Sequence, residues 1–221
     1  MRKIALDIET TGLNPYEGHK IIEIGCVELL NNFPSGVVWQ KYINPNRYMP
    51  QEAFEIHGLS EDFLSDKPSF SEITNEFLNF LGESDLIIHN AAFDLKFINY
   101  ELELLRLEPI NKKNIKVIDT IEIARGLFPG QSINLDALCK RYKIDLEKRK
   151  LHGALLDAEL LAEVFLEMHG GRQQGINLDT QHKLNNENID LKNAVYSKKI
   201  YKLKDQELEN HKKLLEVINK N

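Results

Sequence analysis

Four acidic residues stand where apolar ones are expected. In the stretch IALDIETTG, residues 4–12, Ile4, Leu6 and Ile8 alternate with Ala5, Asp7 and Glu9, the period-two pattern of a strand. Residues i and i+2 of a strand share a face. Asp7 and Glu9 therefore project side by side, about 6.6 Å apart along the backbone at about 3.3 Å per residue. On a helix predicted over 153–169, Ala154, Leu161, Val164, Phe165 and Met168 form an apolar stripe, and Asp157 falls inside it. Glu159, Glu163 and Glu167 lie four apart on the opposite, polar face. Asp94 shares a face with Phe97 and Ile98 near the start of a second helix, where an acid also favours the helix dipole. A buried carboxylate without a partner is costly, and the dipole does not account for Asp157.

The spacing is explained if Asp7, Glu9, Asp94 and Asp157 converge on one place. Four negative charges there require cations, and carboxylate oxygens suit Mg²⁺ or Mn²⁺. Two such ions roughly 3.5–4 Å apart clamp the attacking and leaving oxygens of a phosphoryl displacement. The reaction also needs a base. His152 precedes the last helix and lies five residues before Asp157, and its imidazole titrates near neutrality.

The elements needed to bring these residues together are those of an α/β protein. Strands are predicted over 3–9, 20–30 and 35–44, the last two joined by the turn NNFPSG. A helix over 69–81 starts at Ser69 and repeats Ile73, Phe77, Phe80 and Leu81 at helical spacing. A buried strand over 85–90 leads into a helix over 91–107. A strand over 116–120 enters a short helical stretch, and helices follow over 132–144 and 153–169, the last closed by Gly170 and Gly171. Strands first, then strands alternating with helices, imply a mixed central sheet flanked by helices. After Gly171 the chain turns rich in Asn, Lys and Gln. Residues 179–195 read as linker. The terminal KLKDQELENHKKLLEVINKN, with Leu208, His211, Leu214, Leu215 and Ile218 at helical spacing, reads as an amphipathic helix that needs a partner.

The 221 residues suffice for one domain plus a tail. No apolar run is long enough to span a membrane, and the acids that soon follow MRK leave no secretory h-region. Cys26 and Cys139 are isolated, as reduced packing thiols of a cytoplasmic protein would be. The net charge of −6 is unusual for an autonomous nucleic-acid binder. If nucleic acid is the substrate, a partner protein is expected to hold the chain on it.

LDIETTG, HNAAFD and LHGALLDA, in this order, resemble the three exonuclease motifs of the DEDD superfamily. His152 places the chain in the histidine branch; the tyrosine branch has Tyr where this chain has Gly153. EGHKIIEIG, EAFEIHGL, LDALCKRY and LHGALLDAELLAEV resemble, more narrowly, the epsilon family of proofreading exonucleases of bacterial DNA polymerase III, over about residues 3–171. The resemblance implies an RNase H-like fold and 3′→5′ release of nucleotides as 5′-monophosphates. It implies two metals on Asp7, Glu9, Asp94 and Asp157, with His152 as base. It places Thr10, Gly12, Leu13, Glu52 and His57 against the 3′-terminal nucleotide, with Asn90 and Phe93 shaping the pocket. His89 is expected to be structural, and His19, His169, His182 and His211 receive no role. Gln173, Ile176 and Leu178 fit a sliding-clamp-binding peptide, and the terminal segment 196–221 resembles the polymerase α-binding end of that family. Two other readings compete: an RNA-trimming exonuclease with the same catalytic residues, and a non-catalytic scaffold subunit, which leaves Asp157 unexplained.

Overall fold

The computed structural model describes residues 1–110, 115–147 and 151–171. The chain divides into two units, Met1–Gly175 and Ile176–Asn221. The expected clamp peptide, linker and terminal helix lie outside the described residues.

The described residues build a five-stranded mixed sheet of order β3-β2-β1-β4-β5. Its strands are β1 (Arg2–Thr10), β2 (Ile21–Leu30), β3 (Phe33–Tyr42), β4 (Asp85–Ile88) and β5 (Val117–Asp119). The first three form an antiparallel meander, and β1, β4 and β5 run parallel. The helices are α1 (Gln51–His57), α2 (Glu61–Leu64), α3 (Phe70–Leu81), α4 (Ala91–Leu104), α5 (Thr120–Leu127), α6 (Leu135–Tyr142) and α7 (Ala154–Met168).

The alternation of β1 divides the core in two. Ile4, Leu6 and Ile8 pack with Phe77 of α3 and Phe97 of α4 on one face of the sheet. Ala5 packs with Val27, Leu138 of α6, and Leu161 and Phe165 of α7 on the other. Asp7 and Glu9 share the face of Ala5, so they look toward α7. Cys26 and Cys139 are both buried, one in each cluster. Among the described residues no helix is long and apolar enough to cross a membrane.

Several boundaries differ from those expected. The β2–β3 turn needs only Asn31 and Asn32, whose φ angles are 54° and 72°, the left-handed pair that matches strand twist. Phe33 and Pro34 therefore already belong to β3, and the edge position of that strand tolerates the proline. The helix expected over 132–144 shortens to α6, because the Asn134 side chain accepts from the N–H of Ala137 and Lys143 ends the helix in the left-handed region. The helix expected over 91–107 ends at Leu104. Helices α1 and α2 and a 3₁₀ turn at Pro15–Glu17 were not expected at all.

Candidate active site

The cage is assembled where β1 and β4 part. Their pairing ends at Ala5 opposite Ile87. Beyond it the backbone N–H of Ile8 is met by the carboxylate of Asp94, which enters from the first turn of α4. On the other edge of β1, Asp7 lies opposite Gly25 of β2 and Glu9 opposite Glu23, and a bulge follows between Glu9 and Thr10. Such an irregularity re-aims the side chains beyond it: Thr10 turns its hydroxyl back to donate to the Gly12 carbonyl at 2.7 Å. Asp157 comes down from the first turn of α7 and is 4% exposed.

All four acids line one cavity of about 400 Å³, together with His152, Asn90 and Phe93. Ligand atoms of Glu9, His152 and Asp157 lie within 4.8 Å of one another, close enough to share one ion. Burial, reinforced by the charge of Asp119, pushes the Asp94 carboxyl well above the usual carboxylate range. A cation in the cavity would reverse that penalty, because a nearby positive charge favours the ionised form. An all-carboxylate oxygen set with one histidine beside it fits a hard divalent cation.

His152 is placed as the sequence suggested. Its Nδ1 lies 3.1 Å from Oδ2 of Asp157, and its side chain is half exposed on the cavity rim. Its backbone N–H donates to the Ile56 carbonyl at 3.1 Å, which ties the loop before α7 to α1.

A second cavity of about 450 Å³ adjoins the first, sharing Ile8, Glu9 and Phe93. Thr10, Gly12, Leu13, Glu52 and His57 all line it. The buried His57 accepts the Leu59 N–H at Nδ1 (3.0 Å), so in the neutral ring Nε2 carries the hydrogen. That atom is buried without a partner. Burial lowers the His57 pKa to about 4, so the ring is a neutral donor at pH 7. Leu13 is 79% exposed at the mouth. The structure thus brings together all residues expected at the site that lie in the described range.

Sequence reasoning missed part of the lining. His89, Asn134 and Asp136 border the first cavity; His19 borders the second. His89 was read as structural and His19 was given no role. The available signal for His19 was Gly12, where a Cβ would collide with the His19 ring; the glycine exists so that the imidazole can cover the loop.

Comparison with known proteins agrees with this geometry. The sequence model of the exonuclease (RNase T) family matches residues 4–165. DNA polymerase III subunit epsilon of Rickettsia typhi (strain ATCC VR-144 / Wilmington) is 47% identical, over 99% of this chain and 97% of its own. The subunit epsilon of Escherichia coli (strain K12) is 51% identical, over 77% of this chain and 72% of its own. Among solved structures, Exonuclease X in complex with 5′ overhanging duplex DNA superposes with a TM-score of 0.59 at 25% identity, over 76% of this chain and 90% of its own. The nuclease domain of 3′hExo, a DEDDh family member, bound to rAMP, shares the fold with a TM-score of 0.63 at 20% identity, over 76% of this chain and 92% of its own. The chain belongs to the exonuclease family, among its DNA polymerase III epsilon members.

Proposed function

We propose that the chain is the proofreading 3′→5′ exonuclease of a bacterial replicative polymerase, removing mismatched 3′-terminal nucleotides from single-stranded DNA ends as 5′-monophosphates. One observation carries the reading: four carboxylates from a strand and two helices line one cavity, and a histidine contacts one of them. Asp7, Glu9, Asp94 and Asp157 would hold two divalent ions, Mg²⁺ or Mn²⁺, which would supply charge neutralisation of the phosphate and a more acidic water. His152, oriented through Nδ1 by Asp157, takes the proton of the attacking water at Nε2. The water oxygen bonds to phosphorus as the P–O3′ bond breaks with its electron pair on O3′, which takes a proton from solvent, leaving a 3′-hydroxyl on the shortened strand and a nucleoside 5′-monophosphate.

The second cavity receives the terminal nucleoside. Exposed Leu13 offers an apolar face to the base, and the Nε2–H of His57 offers a donor to the sugar. Thr10, Gly12 and Glu52 complete this wall. Phe93 stands between the two cavities, and Asn90 lines the first.

Residues 1–171 form the exonuclease domain. Residues 172–195 are a linker whose Gln173, Ile176 and Leu178 bind the sliding clamp, and 196–221 bind the polymerase α subunit in the cytoplasm. The net charge of −6 and the relatives named as subunits of DNA polymerase III support delivery to DNA by such partners. The test follows nucleotide release from 3′-labelled single-stranded DNA, a mismatched primer end and short RNA, with Mn²⁺ or with EDTA. Stepwise release from the mismatched DNA end that EDTA stops is expected; preference for RNA would make the chain an RNA-trimming enzyme and refute proofreading.

A further inference from the structure

Neither helix that presents an acid to the cavity caps its own N-terminus with a side chain. The cap residue of α4, Asn90, has φ 70° and makes no side-chain cap bond, and that of α7 is Gly153. The first N–H groups of a helix have no partner within it. Here each set is met by a carboxylate from a neighbouring strand.

Asp119 ends β5, in register with Ile88. Its Oδ1 accepts the N–H of Asn90 at 3.2 Å and of Ile121 at 2.8 Å; its Oδ2 accepts the N–H of Ala91 at 3.0 Å. One carboxylate thus ties the starts of α4 and α5 to the end of a strand. Glu23, opposite Glu9 on β2, is 2% exposed. It accepts from Gln40 Nε2 at 2.7 Å and is favoured by the backbone N–H groups of Ala154 and Leu155 at the start of α7. Two residues on, Gly25 has no Cβ, and one would collide with the backbone of Ala154 and Leu155. The first turn of α7 rests on bare backbone beside that carboxylate.

We propose that Asp119 and Glu23 are positioning residues for the reaction: an outer pair of carboxylates that fix the first turns of α4 and α7, and so set where Asp94 and Asp157 stand relative to Asp7 and Glu9. The proposal rests on the reading of the cavity as a two-metal hydrolase site. Acids are a costly choice next to four others, since the charge of Asp119 disfavours ionisation of Asp94 and that of Asp157 disfavours ionisation of Glu23. Ser, Thr or Asn would cap a helix without that repulsion. A carboxylate accepts several N–H groups at once and holds them with charge-assisted bonds, which joins separate elements as a single hydroxyl does not.

The test compares the full-length wild type with Asp119→Ala, Asp119→Asn and Glu23→Gln. Ser69→Ala, which removes the capping box of α3 away from both cavities, serves as a control for cap loss. Each protein is measured for Tm, for kcat and KM on 3′-labelled single-stranded DNA, and for the Mn²⁺ concentration giving half-maximal rate. The expected result is a fall in kcat of about tenfold or more and a rise in the Mn²⁺ requirement of about 10–100-fold, the range for outer partners of metal ligands. For Glu23→Gln, KM stays within about twofold, because no residue of α7 lines the second cavity, and Ser69→Ala lowers Tm alone. If Asp119→Ala does not fold, Asp119→Asn carries the test, since it keeps the Oδ1 acceptor. Variants that lose Tm but keep kcat and Mn²⁺ requirement within about twofold of wild type would overturn the proposal. A wild type without Mn²⁺-dependent release would instead overturn the reading of the cavity.

Discussion

Replacing Gly25 by alanine should damage catalysis more than binding. Gly25 lies opposite Asp7 on the sheet face covered by α7. A Cβ there would sit about 1 Å inside ordinary contact, 3.4 Å, with the backbone of Ala154 and Leu155. Backbone cannot rotate away as a flexible side chain can, so the first turn of α7 must lift by about 1 Å. That turn carries Asp157 and, through it, the orientation of His152. A 1 Å misplacement of reacting groups costs about 10²-fold, which is about 2.7 kcal/mol in barrier. Overpacking costs roughly 1–3 kcal/mol in stability, a fall in Tm of roughly 2–12 °C at about 2–4 °C per kcal/mol. The second cavity is built from the end of β1, the loop after it, α1 with the preceding Pro50, and Phe93 in the first turn of α4, not from α7, so KM should hardly move. The assay is single-turnover release from 3′-labelled DNA at saturating Mn²⁺, with melting curves beside it. Gly126→Ala is the control: nothing lies within 4 Å of its Cβ position, and alanine in α5 should add up to about 1 kcal/mol. If Gly25→Ala melts lower but keeps kcat within about threefold of wild type, the placement of α7 does not limit catalysis and the reasoning fails.

Other outcomes follow from the same geometry. Asp7→Ala should abolish metal-dependent hydrolysis while the protein stays folded, and the rise in Tm that Mn²⁺ gives the wild type should shrink or vanish; residual hydrolysis would refute the role of Asp7. In EDTA, Asp94 binds its proton more tightly folded than unfolded. Its folded form therefore loses stability as pH rises from the ordinary carboxylate range through the raised one. Asp94→Asn should gain Tm over wild type across that window and keep the gain at pH 7–8, as pH-resolved melting would show. His57→Ala should raise KM about 2–10-fold, the loss of one hydrogen bond, with kcat less affected. Because the His57 pKa lies at about 4, this change should be flat between pH 6 and 9. Gln173→Ala with Leu178→Ala should lose the sliding clamp in a pull-down, and deletion of 196–221 should lose the polymerase subunit, both with free exonuclease activity intact.

The four acids of the first cavity were legible because each breaks a periodic pattern. Asp157 interrupts an apolar stripe and Asp94 joins one, and both are buried. Asp7 and Glu9 were legible as a pair because strand geometry puts i and i+2 on one face. Glu23 stands in the same alternation in IIEIG but received no role from the sequence; it is buried where α7, which begins 131 residues later at Ala154, crosses that face. Asp119 read as the end of a strand, since its three N–H partners come from segments that meet only in three dimensions. Helices α1 and α2 span seven and four residues, too few turns for a period to register, and they bury little beyond Ala53, His57 and Leu64. The wall of the second cavity that carries His57 was therefore reachable by motif but not by pattern.

The crossing of α7 over β1 and β2 also bears on how the protein is made. Ala154 leaves the ribosome 112 residues after Tyr42 closes the meander, roughly 6–22 s later at about 5–20 residues per second. Throughout that interval the face bearing Ala5, Val27 and Leu29 lacks its cover, an apolar surface of the kind chaperones bind. The same delay has a protective side. Until the last of the four acids arrives on α7, a nascent chain carries no complete cage, so a nuclease emerging among messenger RNAs is inert until its domain closes.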